Sequence, residues 1–377
     1  MTKILHFTGF IKGVTYKTYL TNKLAEVDLS EFNVNTVYPY GLIKSPITEI
    51  AYSKWVSPKR TRSYPFARIY NTYNLSKTLT IIPVSKDEGK DGDRDRIQYS
   101  TISWMNLLNV YIVLAYYETA EKSTKIGQKS KEKLSFQKLN NDFVKSQIEE
   151  ILVYRQSALH WNKNLFEERF TNIFEQALDC YNSISNSTAV KVHSRRGMNK
   201  YLQKIVEEFE EFKNISLKGS QSASKREALT SHALEYLVDG LKATFSIEDY
   251  LGGVYFLTPD EIFYKDNVYT IQESKNTSQH SLPKLADIQD GLFKLILFSN
   301  LDTLTLNEQP VSFISKLKLT GKSVIDSIVF PASTTKLTTF LGLNDTIFNK
   351  DEKVLIEKLT LEAKKNHKLR IEITSNS

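Results

Sequence analysis

The spacing of apolar positions changes along the chain, and with it the elements expected. Residues 1–75 are rich in Tyr, Thr, Pro and β-branched residues, as in strands separated by turns at Pro39-Tyr40-Gly41 and Ser57-Pro58. A strand is expected over Thr78–Val84, a charged loop over Lys86–Arg96, an apolar helix over Thr101–Leu108 and a strand over Val110–Tyr117. Strand, helix, strand in that order predicts an α/β unit. The Lys- and Ser-rich segment Lys122–Lys133 reads as a solvated loop. From Ser135 to Lys213 apolar residues such as Ile148, Ile151, Leu152, Phe166, Phe170 and Phe174 recur at helical spacing. After the polar break Lys218–Ser224 a helix is expected over Lys225–Lys242, and then two strand-like runs flank Asp266-Asn267. The predicted organisation is an N-terminal α/β region (1–134), a helical connector (135–215) and a C-terminal domain (216–377).

The two-residue turn has a geometric consequence. Asn and Asp tolerate positive φ, so Asp266-Asn267 suits a tight hairpin in which Lys265 faces Val268. Pairing then continues outward, Asp260 falls opposite Glu273, and Lys275 lies on the same face two residues on. Like charges directly opposed across a ladder are destabilising. A divalent cation between them reverses that sign, and hard oxygen ligands of this kind suit Mg²⁺. A lysine beside such a cation can position an attacking water and offset charge on phosphate.

Composition narrows the chemistry. The chain is 41% hydrophobic and 25% charged, with 20 Tyr and 20 Phe, which is the profile of a folded protein. Its one cysteine, Cys180, excludes an intramolecular disulfide and a cysteine zinc cage and suits a reducing cytoplasm. The first residues lack a signal-peptide pattern, and the apolar stretch Met105–Tyr117 is interrupted by Asn106 and Asn109, so no membrane span is expected. A net charge of +7 is compatible with a polyanionic partner. Lys59 and Arg60 belong to one basic cluster and Arg195 and Arg196 to another; with Arg94, Arg96 and Gln98 they are candidates for contacting DNA. Asp91, Asp93 and Asp95 imitate the start of a calcium loop, but Arg96 and Ile102 stand where its glycine and bidentate glutamate are needed. The six histidines share no metal-ligand spacing, and no phosphate-cradling glycine loop is present.

Pro259-Asp260 followed by Glu273-Ser274-Lys275 resembles the PD-(D/E)xK nuclease superfamily, which includes most type II restriction endonucleases and several repair nucleases. The resemblance covers residues 222–330 and runs helix, hairpin, helix. It implies that residues 216–377 form an α/β restriction-endonuclease-like core, a mixed central sheet flanked by helices with Leu282–Phe298 as the helix after the lysine strand, in which Asp260 and Glu273 bind Mg²⁺, with Mn²⁺ as a substitute, and Lys275 orients the attacking water. It further implies that Glu235, on the opening helix, supports the metal site, and that Gln289, on the following helix, lies near it. A type II restriction enzyme would cut double-stranded DNA as a homodimer beside a companion DNA methyltransferase. The alternatives are a repair, recombination or transposon nuclease of the same fold, an RNA-cutting member, and a non-catalytic nucleic-acid-binding protein.

Overall fold

The computed structural model describes every residue except 1–3, 47, 61, 63, 74, 76, 126–131, 208, 209, 220, 222–242 and 377. The helix expected over 225–242, and Glu235 with it, lies outside the described residues. The protein is α/β, with mixed sheets and helices packed on them. Two compact units divide it: residues 23–218, and residues 1–22 together with 219–377.

That division differs from the expected boundaries at both ends. Strand β1 (Leu5–Ile11) was expected in the N-terminal region, yet it pairs in parallel with β11 (Ala243–Asp249), so the first residues belong to the C-terminal unit. The helices expected to form a separate connector pack instead on the sheet of the 23–218 unit.

In the 23–218 unit the sheet order is β2 (Ala25–Asp28), β3 (Tyr40–Lys44), β4 (Glu49–Lys54), β5 (Thr78–Pro83) and β8 (Tyr111–Ala115). Every residue of β5 and β8 is buried, as expected of parallel strands covered on both faces. Helix α1 (Pro65–Thr72) links β4 to β5, and α2 (Tyr99–Leu107) leads into β8. The charged segment expected as a loop is a small hairpin, β6 (Ser85–Asp87) with β7 (Arg94–Arg96). The expected helical region opens with a strand, β10 (Leu134–Leu139), which pairs with β9 (Tyr117–Lys122). Helices α3 (Asn141–Val153), α4 (Ala158–Asn164), α5 (Phe170–Thr188) and α6 (Arg195–Glu207) follow. Ile148 and Trp161 carry α3 and α4 into the core formed by Ile43, Ile81 and Val113.

The other unit holds two five-stranded sheets. One contains β12 (Val254–Leu257), β11, β1, β15 (Thr303–Leu306) and β16 (Gln309–Pro310). The second contains β13 (Glu261–Lys265), β14 (Val268–Asn276), β17 (Ser312–Gly321), β19 (Leu369–Ser375) and β18 (Ile328–Phe330), in that spatial order. Helix α7 (Leu285–Ser299) lies between β14 and β17 in the chain, and those two strands pair in parallel. The helices α8 (Thr334–Leu343) and α9 (Lys350–Lys365) precede β19.

Residues 12–20 cross this unit as an extended strap whose backbone is paired by side chains rather than by a sheet. Lys12 N–H donates to Asp302 (2.7 Å), Thr15 N–H to Asn300 (2.9 Å) and Tyr19 N–H to Glu362 (2.7 Å). Asn366 bonds both the N–H and the carbonyl of Lys17, each at 2.8 Å. Gln289 donates to the Leu20 carbonyl at 2.7 Å. The bonds at Lys17, Tyr19 and Leu20 are at least partly buried, and backbone groups away from water need such partners.

Candidate functional site

The site is built on the hairpin β13–β14. Asp266 (φ 51°) and Asn267 (φ 62°) both occupy the left-handed region, as a two-residue turn of the twist-compatible kind requires. Lys265 therefore pairs with Val268 and the ladder runs without a shift to Glu261 opposite Gln272. The expected register holds over Glu261–Lys265. Asp260 precedes the strand and meets the far end of β14 through its side chain, Oδ2 accepting the Ser274 backbone N–H at 2.8 Å. Along the hairpin toward the two acids, Ile262 and Ile271 are fully buried, whereas Tyr264 is exposed and its ring lies tilted against Tyr269.

Helix α7 covers the face carrying Glu273 and Lys275, and it brings two charges that the sequence did not single out. Lys294 donates to Glu273 Oε2 at 3.1 Å, and Lys275 donates to Asp290 Oδ2 at 2.9 Å. The two ion pairs run between strand and helix: β14 supplies the acid of one and the base of the other. Gly291 lies where the helix meets the sheet. A Cβ there would come within 2.8 Å of Leu317 Cδ1 and 3.0 Å of Lys275 Cε. The glycine is thus needed for the close approach that lets the Lys275 stem pass beneath the helix.

Glu273 is completely buried, and its Oε1 has no hydrogen-bond partner. Burial pushes its carboxyl up to about 7, with Asp260 adding to the rise and Lys294 and Lys275 opposing it. Burial works against the Lys294 ammonium as well, but Glu273, Asp260 and Asp290 outweigh it and hold its pKa above the usual lysine value. Three carboxylates and two ammonium groups therefore share one partly dehydrated volume. Its open valence is an acceptor, the free oxygen of Glu273, facing neither water nor a donor.

Asp260 and Lys275 both act on the Glu273 carboxyl through their charges, while the Lys275 ammonium itself bonds Asp290. Gln289 does not join them: it is buried beside the strap, where its amide serves Leu20, because it points from α7 in a different direction from its neighbour Asp290. Glu235 lies outside the described residues. Among the described residues no group of three or more His, Cys, Asp or Glu is arranged to hold a metal ion. An orphaned carboxylate oxygen that feels the charge of a second carboxylate fits a hard divalent cation, which retains several waters and takes one or two protein carboxylates.

The residues expected to contact DNA all lie in the 23–218 unit. Lys59 and Arg196 are exposed. Arg60 donates to Gln98 (3.4 Å), Arg94 to the Ser194 carbonyl (3.4 Å) and Arg195 to Asp179 (2.7 Å). The Arg96 guanidinium sits 4.4 Å from the centre of the Tyr201 ring. Three acids of the nearby hairpin converge on Arg62, Glu88 (2.8 Å), Asp93 and Asp95 (3.5 Å), while Asp91 accepts the Glu132 N–H (2.9 Å) and Asp87 bonds His193 (2.9 Å). Internal pairing thus accounts for that acidic cluster.

Among the described residues no helix is long and apolar enough to cross a membrane. Comparison with protein-family models, with curated proteins and with solved structures found no match to this chain.

Proposed function

We propose that the unit containing residues 219–377 is a metal-dependent nuclease of the PD-(D/E)xK kind, and that its substrate is DNA. One observation carries this: a fully buried carboxylate, Glu273, keeps an unpartnered oxygen while a second carboxylate, Asp260, acts on it through its charge, with a lysine two residues along the same strand. A surface hairpin with solvated charges would gain little from such an arrangement, whereas burying an unsatisfied carboxylate oxygen is costly. The strand order adds support, since an antiparallel hairpin is followed by a helix and a strand parallel to its second arm.

Asp260 and Glu273 would hold Mg²⁺, with Mn²⁺ as a substitute. The cation would supply positive charge to a phosphodiester and so stabilise the charge that develops during hydrolysis. Lys275 orients the water that attacks phosphorus and offsets charge on the phosphate oxygens. Asp260 is itself oriented by the Ser274 N–H, and Lys294 restrains the Glu273 carboxylate. The covering helix limits access of bulk water, which strengthens every charge interaction inside. A site-specific restriction enzyme, acting as a homodimer with a companion methyltransferase in the cytoplasm, is the biological setting proposed.

The test is incubation of the purified chain with plasmid DNA and Mg²⁺ or Mn²⁺, with and without chelator. Discrete fragments support a restriction enzyme, and nicking or smearing supports a repair or transposon nuclease. Lys275→Met and Glu273→Gln should each abolish cleavage. A Lys275→Met protein that cuts as fast as the parent would sink the assignment.

A further inference from the structure

Beyond the three residues of the motif, we propose that Asp290 is a positioning residue of the same site. It captures the Lys275 ammonium on the helix side and thereby keeps it off Asp260 and Glu273, which stay available to a divalent cation. This rests on the nuclease function proposed above.

The geometry supports it in two independent ways. Lys275 is a point charge on a flexible four-carbon stem, so its head can reach any acceptor nearby. Glu273, two residues away on the same face, has an unpartnered oxygen and feels the Lys275 charge. Yet the ammonium bonds Asp290, at 2.9 Å, with both side chains largely buried. The second support is the channel itself. The residue after Asp290 is Gly291, and any other side chain there would meet the Lys275 stem at 3.0 Å. Asp290 supplies the anchor and Gly291 the passage. Without the anchor, the lysine would be drawn to the Glu273 oxygen that Lys294 leaves unpartnered, and it would compete there with the cation.

The experiment measures Mn²⁺ binding by following the signal of free Mn²⁺ in electron paramagnetic resonance, alongside plasmid cleavage, for the full chain. Asp290→Asn should weaken Mn²⁺ binding about tenfold, the scale of one nearby like charge in a partly screened site. Adding Lys275→Met to Asp290→Asn should restore binding to the level of Lys275→Met alone, because the competing ammonium is gone. Cleavage should fall in Asp290→Asn through kcat more than KM, and Asp290→Glu should recover part of it. An Asp290→Asn protein that binds Mn²⁺ like the parent overturns the proposal. So does a double variant that binds as weakly as Asp290→Asn, which would make Asp290 itself a ligand. If the parent neither cuts DNA nor binds Mn²⁺ in a Glu273-dependent way, the nuclease function fails first and the positioning role falls with it. That outcome is distinguishable because it is reached before any Asp290 variant is compared.

Discussion

Replacing Glu273 by Gln should make the protein more stable as the pH rises, while destroying the activity proposed for it. The carboxyl is fully buried and its pKa is pushed up from 4.5 to about 7, chiefly by burial. Below pH 4.5 the acid is protonated both folded and unfolded, so the stability associated with the neutral form is fully present. Between 4.5 and about 7 the unfolded chain has released a proton that the folded protein still holds, and stability falls by about 1.4 kcal/mol per pH unit. By pH 8 the loss is about 3 kcal/mol, an order-of-magnitude figure set by the size of the shift. Glutamine resembles the protonated acid in shape and cannot ionise, so the variant escapes this loss. Its stability should match the parent near pH 4.5 and exceed it by about 2–3 kcal/mol near pH 8, allowing for the partner that Lys294 loses. Urea unfolding followed by far-ultraviolet circular dichroism reads the difference. All three tryptophans, Trp55, Trp104 and Trp161, lie in the 23–218 unit, so their fluorescence separates that unit's transition from the one containing Glu273. A parent-minus-variant difference that stays flat from pH 4.5 to 8 would refute the reasoning. A gain in stability with loss of cleavage is what a residue retained for chemistry should give.

Three further substitutions probe the frame around the site. Gly291→Ala, which at an exposed helix position stabilises by about 1 kcal/mol, should instead cost about 1–3 kcal/mol here, because the added Cβ meets Leu317 and Lys275; thermal melting decides the sign. Asn267→Val should cost about 1–2 kcal/mol and lower cleavage, since a β-branched residue is strained at φ 62° and the register that pairs the hairpin out to Glu261 depends on that turn; urea unfolding and plasmid cleavage together measure it. Asn366→Ala should cost about 2–3 kcal/mol by leaving the Lys17 N–H and carbonyl without their partner, and hydrogen exchange at the Lys17 amide should accelerate.

What the sequence disclosed follows from how local each feature is. The hairpin was legible because its turn and both strands are contiguous, so a single dipeptide with positive φ fixes every pairing outward to Glu261. Strand β5 was legible because its run of β-branched residues is bounded by turn signals. The pairing of β1 with β11 was not, because Phe7 and its partner Phe245 are far apart in the chain and neither segment carries a mark naming the other. The strap was invisible for the same reason, since its partners, Asn300, Glu362 and Asn366, come from distant helices and loops. The hairpin at 85–96 was read as a loop because its charges hide a short ladder.

Helix α7 shows why part of the site escaped. Ten of its fifteen residues are buried, so apolar periodicity does not select one inward face. The few polar residues then decide direction, and sequence alone cannot say which apolar surface each one opposes. Gln289 and Asp290 are adjacent, yet about 100° apart around the axis, the angle set by 3.6 residues per turn. One reaches the strap at Leu20 and the other reaches Lys275. Asp290 and Lys294, one turn apart, share the side that meets β14. The same short helix therefore fastens the N-terminal strap on one side and orients the charged pairs on the other. Loosening the strap should shift α7 and, through Asp290, the lysine on which the proposed chemistry depends.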